Sequence, residues 1–456
     1  IIDLLIVMYA LCYQLQAPLE PYLVDSLALK DQDSAASYAA LQSFFSFIQM
    51  IGSLFMGALI DRLGVRFALV LNFGSCALSY ALLAVARGVG GLYVAKLPTV
   101  FMAGFLCAQA AVAKLTLPGT ERVTQLGRLT MAYTIGGTVG PSLGGYLGAS
   151  SAPRLAIVGS LLAALLSLSL PARVDSDLKQ EEEEEEEEAH AAREKKSAKS
   201  SAGNGSGNGG GNEGASSFAA RARAALLLTW PLVGTKLVGA VVNSAVGAVR
   251  PLVLKNTFNL GEAELGLVMS SIFFGTAVVS LGLGALTRLV GSERAVVSSA
   301  LAGIAAVFWA QAAVFGGGFS LANNPGAAAV GGAGGSSLPL SADGLAGKRL
   351  YVGLAMAAAL FQFPLATTLT SLSTSRVPSD AKGTLVGLEH TCFALAGMVG
   401  PGLGVALLQH PSFSLGGIAA GAAAVFTGLF LFWKQDGGGE ATTTTGAATD
   451  DKCKAS

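Results

Sequence analysis

Charge is scarce in this sequence. Asp, Glu, Lys and Arg make up 13% of its 456 residues, about half the ~25% of an ordinary soluble domain. A soluble chain of this length would form two or three domains with charged surfaces, and the composition excludes that. The formal net charge is +0, which points to no nucleic-acid partner. Cysteine occurs only five times, at Cys12, Cys76, Cys107, Cys392 and Cys453, without a CxxC pair. That scatter suggests neither a disulfide framework nor a metal site. No nucleophile–base motif, metal cluster or phosphate loop stands out, so neither an enzyme nor a bound cofactor is expected.

Apolar residues are abundant. They make up 52% of the chain, and the mean hydropathy is +0.58. The apolar runs recur at lengths that cross a bilayer, for which about 20 residues are needed. The chain is therefore read as an all-α integral membrane protein whose first partner is the lipid bilayer. Set against charged breaks, the runs give twelve spans at 2–27, 38–60, 67–86, 90–115, 126–148, 154–171, 225–254, 264–287, 295–316, 349–374, 383–409 and 412–433. Placing both termini in the cytoplasm puts 20 of the 29 Lys and Arg on that side and 6 on the other. Without the central loop the ratio is still 12 to 6, so the positive-inside rule favours cytoplasmic termini. The apolar start at Ile1 reads as a truncated N-terminus.

Four regions follow: a six-span half at 1–171, a linker at 172–223, a second six-span half at 224–434 and a tail at 435–456. The linker contains DSDLKQEEEEEEEEAHAAREKKSAKSSAGNGSGNGGGNEGASS, a composition that cannot bury enough apolar surface to order itself. The tail and a Gly-rich stretch between spans nine and ten read the same way. The halves repeat at an offset of 260: Pro118 matches Pro378, Gly127 matches Gly387, and VGPSLGG (139–145) matches VGPGLGV (399–405). A weaker echo pairs GALIDRLGVR (57–66) with GALTRLVGSER (284–294). Duplicated halves with a site at their interface are a common plan of secondary transporters.

Two motifs resemble those of the major facilitator superfamily. GALIDRLGVR is similar to its G-x-x-x-D-R-x-G-x-R loop between spans two and three, carried here by Gly57, Asp61, Arg62, Gly64 and Arg66. On span five, Gly127, Gly136, Gly140, Pro141, Gly144 and Gly145 match the spacing of its antiporter motif. AKLPTVFMAGFLCAQ (95–109), LGEAELGLVMSSIFFG (260–275) and SDAKGTLVGLEHTCFALAGMVGPGLG (379–404) more narrowly resemble organic-cation-transporter-like proteins of the solute carrier family 22 member 18 type, which are similar to tetracycline-resistance drug:proton antiporters. The resemblance implies the twelve-helix major facilitator fold, a monomer, and exchange of a drug or organic cation for protons. An uncoupled or organic-anion facilitator remains open, as does a non-transporting scaffold.

Gly136, Gly140 and Gly144 recur every four residues and share one helix face. Small residues at that spacing let backbones approach in lipid, and Pro141 bends the helix. Tight packing alone would give such a stripe; the resemblance makes it a sliding surface that prevents leak. For the loop motif, the resemblance implies a latch from Asp61 to the start of span eleven, near Ala381 to Gly383. An ordinary capped turn would also explain Arg62 and Arg66.

Charges within the bilayer are costly and usually functional. Glu20, Lys96 and Lys236 lie on spans one, four and seven, and Gln14, Gln16, Gln109, Asn243 and Gln362 lie on spans one, four, seven and ten. In the superfamily these four helices line the cavity. The expectation is a small-molecule and proton site there, with Glu20 able to pair with Lys96. Two lysines against one glutamate fit an organic anion as well as a cation. Gln42, Gln49, Asn72 and Gln311 are expected to form helix–helix hydrogen bonds. Snorkelling accounts for Arg250, next to Pro251 near the outer face. Glu389 and His390 lie in span eleven, where a lone His is commonly structural.

Overall fold

The computed structural model describes residues 1–28, 33–115, 120–170, 213–315, 345–377, 382–407 and 411–443. The expected Gly-rich loop between spans nine and ten and most of the central linker lie outside them. Among the described residues all regular structure is helical. That follows from the solvent: in lipid each backbone polar group needs a partner within the protein, and a helix supplies one locally.

The described helices resolve into twelve passes in two six-helix halves. Span one is two pieces, Ile2–Gln14 and Glu20–Leu27. Spans two and three form one continuous helical run, Ser34–Ala84, folded back at Gly64. Span four is also broken, into Val89–Lys96, a 3-10 turn at Leu97–Phe101, and Gly104–Leu115. Spans five and six share Thr120–Leu168, which reverses at Gly148. Spans seven to twelve are Glu213–Asn256, Glu262–Val290, Glu293–Phe315, Leu345–Ser375, Lys382–Leu407 and Pro411–Thr443.

The reversals have a simple cause. Gly64 has φ 84° and Gly148 has φ 69°, in the region a side chain rarely tolerates. Gly64 of the loop motif therefore makes the turn between two spans without a loop. Gly291, the last glycine of the echo in the second half, turns spans eight and nine with φ 91°. Arg66 completes the first turn by donating from Nη2 to the carbonyl of Leu168, where a cation suits the exposed C-terminal carbonyls of span six.

Two boundaries differ from the sequence reading. Span seven begins at Glu213, inside the expected linker, because the Ala-rich run before residue 224 favours helix. Span twelve continues to Thr443, into the expected tail, since extending an existing helix needs only one ordered residue per added hydrogen bond.

The cores show how the halves meet. Leu5, Tyr9, Phe73, Tyr80 and Cys107 belong to a buried cluster confined to the first half. Leu232, Ile304, Phe308 and Leu369 belong to one confined to the second. A third cluster crosses between them at the end of the molecule that carries Leu27 and Asn256, joining Val24, Tyr38 and Leu92 to Leu252, Leu260 and Tyr351. Among the described residues no buried cluster joins the halves at the opposite end, where Gly64 lies.

Candidate functional site

Between the halves lies a cavity of about 460 Å³. Gln14, Gln16, Glu20 and Lys96 line it from the first half and Asn243 from the second. Glu20 forms an ion pair with Lys96, and Gln42 of span two donates to the other oxygen of the same carboxylate. Glu20 is 8% exposed, so the pair is nearly withdrawn from solvent.

The broken helices set up this pair. Glu20 opens the second piece of span one and Lys96 closes the first piece of span four. A helix N-terminus favours an anion and a C-terminus favours a cation. Each charge thus sits at the helix end of opposite sign. Pro18 and Pro98 lie at the two breaks, where a missing N–H prevents an uninterrupted helix. The carbonyl of Met102, past the break in span four, accepts from Gln49 of span two at 3.2 Å. Lys96 Nζ also stands 4.6 Å from the centroid of the Phe45 ring. Tyr13 and Tyr38 add two more rings to the wall, and Gln16 Nε2 is buried without a hydrogen-bond partner.

Lys236 is not part of this cavity. It pairs with Glu389 of span eleven and donates to Thr370 of span ten, while Ser373 donates to Glu389 at 2.8 Å. Lys236 and Gln362 line a separate space in the second half, with Asn243 lining both. Gln109 lines neither. The expectation that spans one, four, seven and ten pool their polar groups in one cavity is corrected here: Lys236 is drawn to a carboxylate on a helix outside that set. The charge count is corrected with it, since Glu389 makes two carboxylates for two lysines. Gln42 and Gln49 bond across helices as expected, whereas both polar atoms of the buried Asn72 are unpartnered.

The glycine stripe faces span one. A Cβ at Gly136 or Gly144 would overlap the carbonyls of Val7 or Leu15, and one at Gly140 would lie 2.7 Å from Gln14 Cβ. The next face of the same helix meets span eight: Gly145 lies against the Glu262 carbonyl, and Gly266 against that of Pro141. Ser142 N–H donates to Ser270 Oγ across the halves at 2.9 Å. The repeat holds in space, because Gly400 and Gly404 of span eleven pack on Ser244 and Ala245 of span seven. Gly127 has nothing near a would-be Cβ. The side chains of Asp61, Arg62 and Lys382, the surroundings of Gly57 and Gly383, and Ala381 lie outside what the structure describes, and the expected latch with them.

The end of the cavity near Leu27 is closed by contacts between the halves. Tyr22 Oη donates to the carbonyl of Leu260. Lys255 Nζ pairs with Asp25 at 3.0 Å, donates to the Pro21 carbonyl at 3.1 Å, and lies 5.0 Å from the Tyr22 ring centroid.

Comparison with known proteins agrees with this architecture. The sequence profile of the Major Facilitator Superfamily matches residues 2–346. Over 130 residues the chain is 33% identical to solute carrier family 22 member 18 of Mus musculus, covering 27% of this chain and 31% of that protein. Solute carrier family 67 member A1 of Homo sapiens is 35% identical over 130 residues, covering 27% and 30%. The match thus spans under a third of the length of these curated relatives. Among solved structures, the peptide transporter POT in complex with sulfate superposes with a TM-score of 0.66 at 14% identity, over 95% of this chain and 94% of that one. The human organic anion transporter MFSD10 gives 0.56 at 19% identity, over 93% and 97%. These likenesses, at such identities, speak for the fold. Together with the profile match over most of the sequence, they establish that the chain belongs to the major facilitator superfamily.

Proposed function

We propose that the protein is a secondary active transporter that exchanges a small organic cation of the drug class for protons. The observation that carries this reading is the Glu20–Lys96 pair on the wall of a cavity between two halves. Among the described residues the cavity is joined shut at one end only, which fits an alternating-access carrier open toward the Gly64 end. With both termini cytoplasmic, as the charge distribution favours, that end is the cytoplasm.

Four aromatic rings, of Tyr13, Tyr38, Phe45 and Phe273, and a carboxylate suit a cationic solute. Glu20 holds one positive partner at a time. A cationic solute and a proton therefore exclude each other on it, and exclusion at one carboxylate is the minimal device for antiport. Movement of the halves that separates Glu20 from Lys96 frees the carboxylate for either cation. The bent, close-packed fifth span lies between span one, which carries Glu20, and span eight of the other half, so motion of the halves reaches the pair. The full-length protein in proteoliposomes, screened with candidate solutes under an imposed pH gradient, tests this. Solute accumulation that collapses with the gradient is expected. Uptake that only equilibrates would make the protein an uncoupled facilitator.

A further inference from the structure

The second space in the C-terminal half measures about 350 Å³, within the usual range for ligand sites. Spans seven, nine, ten and twelve contribute to its walls, where Leu301, Ile304, Leu365 and Leu369 are apolar. Toward the Lys255 end it adjoins a niche of about 40 Å³, the two sharing Ser414 and Ile418. The niche is lined by Arg250, Gln311 and Tyr351. Gln311 and Tyr351 are 5% and 6% exposed.

Arg250 is half-buried, and snorkelling leaves part of its guanidinium unsatisfied. Its Nε is buried without a hydrogen-bond partner. Among the described residues no carboxylate pairs with Arg250; Asp25 pairs with Lys255 and Glu264 with Lys348. A guanidinium cannot shed its charge by deprotonation, and an unpaired charge inside a membrane is costly. The side chains gathered with it are an amide and a phenol, both able to donate. Donors around an unmatched cation form a receptor for an anion. The opposite end of the space needs none, because Lys236 is matched by Glu389.

The shape narrows the ligand further. Arg250 and Lys236 lie on one helix, ~21 Å apart along its axis at 1.5 Å per residue. The space therefore runs along the bilayer normal, with the cationic niche toward one face and apolar walls below. We propose that this space binds a long-chain monocarboxylate amphiphile, its carboxylate on Arg250, Gln311 and Tyr351 and its chain among the leucines of spans nine and ten. The site is separate from the transport cavity and its assignment does not rest on the transport reading.

Binding of radiolabelled palmitate to the purified full-length protein in nonionic detergent tests the assignment. Saturable binding is expected. Hexadecanol, which has the chain without the charge, should displace it at least tenfold less well than unlabelled palmitate, and acetate should not displace it. Arg250→Gln should weaken binding about tenfold to a hundredfold, the worth of a hydrogen bond to a charged group, and Arg250→Lys should weaken it less. Ile304→Trp fills the chain space and should abolish binding with the niche intact. Glu20→Gln should bind palmitate like the unaltered protein, so failure of the transport reading is seen separately. The proposal is overturned if hexadecanol competes as well as palmitate, if Arg250→Gln or Ile304→Trp binds normally, or if phosphatidylglycerol displaces palmitate better than palmitate itself. The competition series uses the unaltered protein and decides the matter even if a variant misfolds.

Discussion

Glu20–Lys96 and Lys236–Glu389 contain the same two charged groups in different surroundings. The first pair joins the broken ends of spans one and four and borders the cavity between the halves. The second joins spans seven and eleven and draws Thr370 and Ser373 from span ten, all within one half. Its side chains are 4% and 5% exposed, against 13% and 10% for Lys96 and Glu20. A pair locked inside one rigid body keeps its geometry when the halves move. A pair at helix breaks beside the moving interface does not. Under the proposed function the second pair is structural and the first is the candidate for coupling.

The largest expected effect is on stability at the locked pair. Lys236→Met leaves Glu389 buried without its partner and should cost about 3–5 kcal/mol, read as a large drop in thermal unfolding temperature. The double variant Lys236→Met with Glu389→Leu should recover most of that loss. Lys96→Met should cost less, because the cavity pair is less deeply buried than the locked one; equal losses at Lys96 and Lys236 would erase the distinction.

The glycines of span five offer the next contrast. Gly140→Leu forces spans one and five apart and should stop transport while protein still reaches the membrane. Gly127→Ala meets no neighbour and should leave transport intact, with a stability gain of at most ~1 kcal/mol from helix propensity. Similar transport in the two variants would argue against a packed stripe.

Smaller effects are expected at the closure and the linker. Asp25→Asn removes the pair with Lys255, worth roughly 0–1 kcal/mol at a partly exposed site. It should raise labelling of a cysteine placed at Ala17 from the Leu27 side by a fewfold, by favouring the opposite opening. Deleting 180–212 should change transport least, because the composition of that segment gives it nothing to pack.

Much of this was legible in the sequence. The 260-residue offset in glycine and proline announced two halves, and it reappears as the contacts of span five on span one and of span eleven on span seven. Span length and charge breaks located the passes. The Glu20–Lys96 pair was accessible because both residues lie at similar depth on spans expected to adjoin. Glu389 was harder. Its charge inside a span was a signal, but pairing with Lys236 depends on how spans seven and eleven pack, which no local spacing records. The helix breaks beside Glu20 and Lys96 carry proline markers, Pro18 and Pro98, but the apolar runs continue through both. Asn72 and the niche at Arg250 depend on what the neighbouring helices fail to supply, and that is visible only in three dimensions.

The central claim is that Glu20 couples solute to protons. Glu20→Gln keeps the shape and the bond from Gln42 but removes the titrating group. Solute accumulation driven by an imposed pH gradient, measured in proteoliposomes beside solute exchange at equal pH, tests it most directly. Glu389→Gln, normalised to folded protein, serves as the comparison. The account predicts that Glu20→Gln abolishes gradient-driven accumulation and retains exchange, while Glu389→Gln retains both. Unchanged accumulation in Glu20→Gln would contradict it.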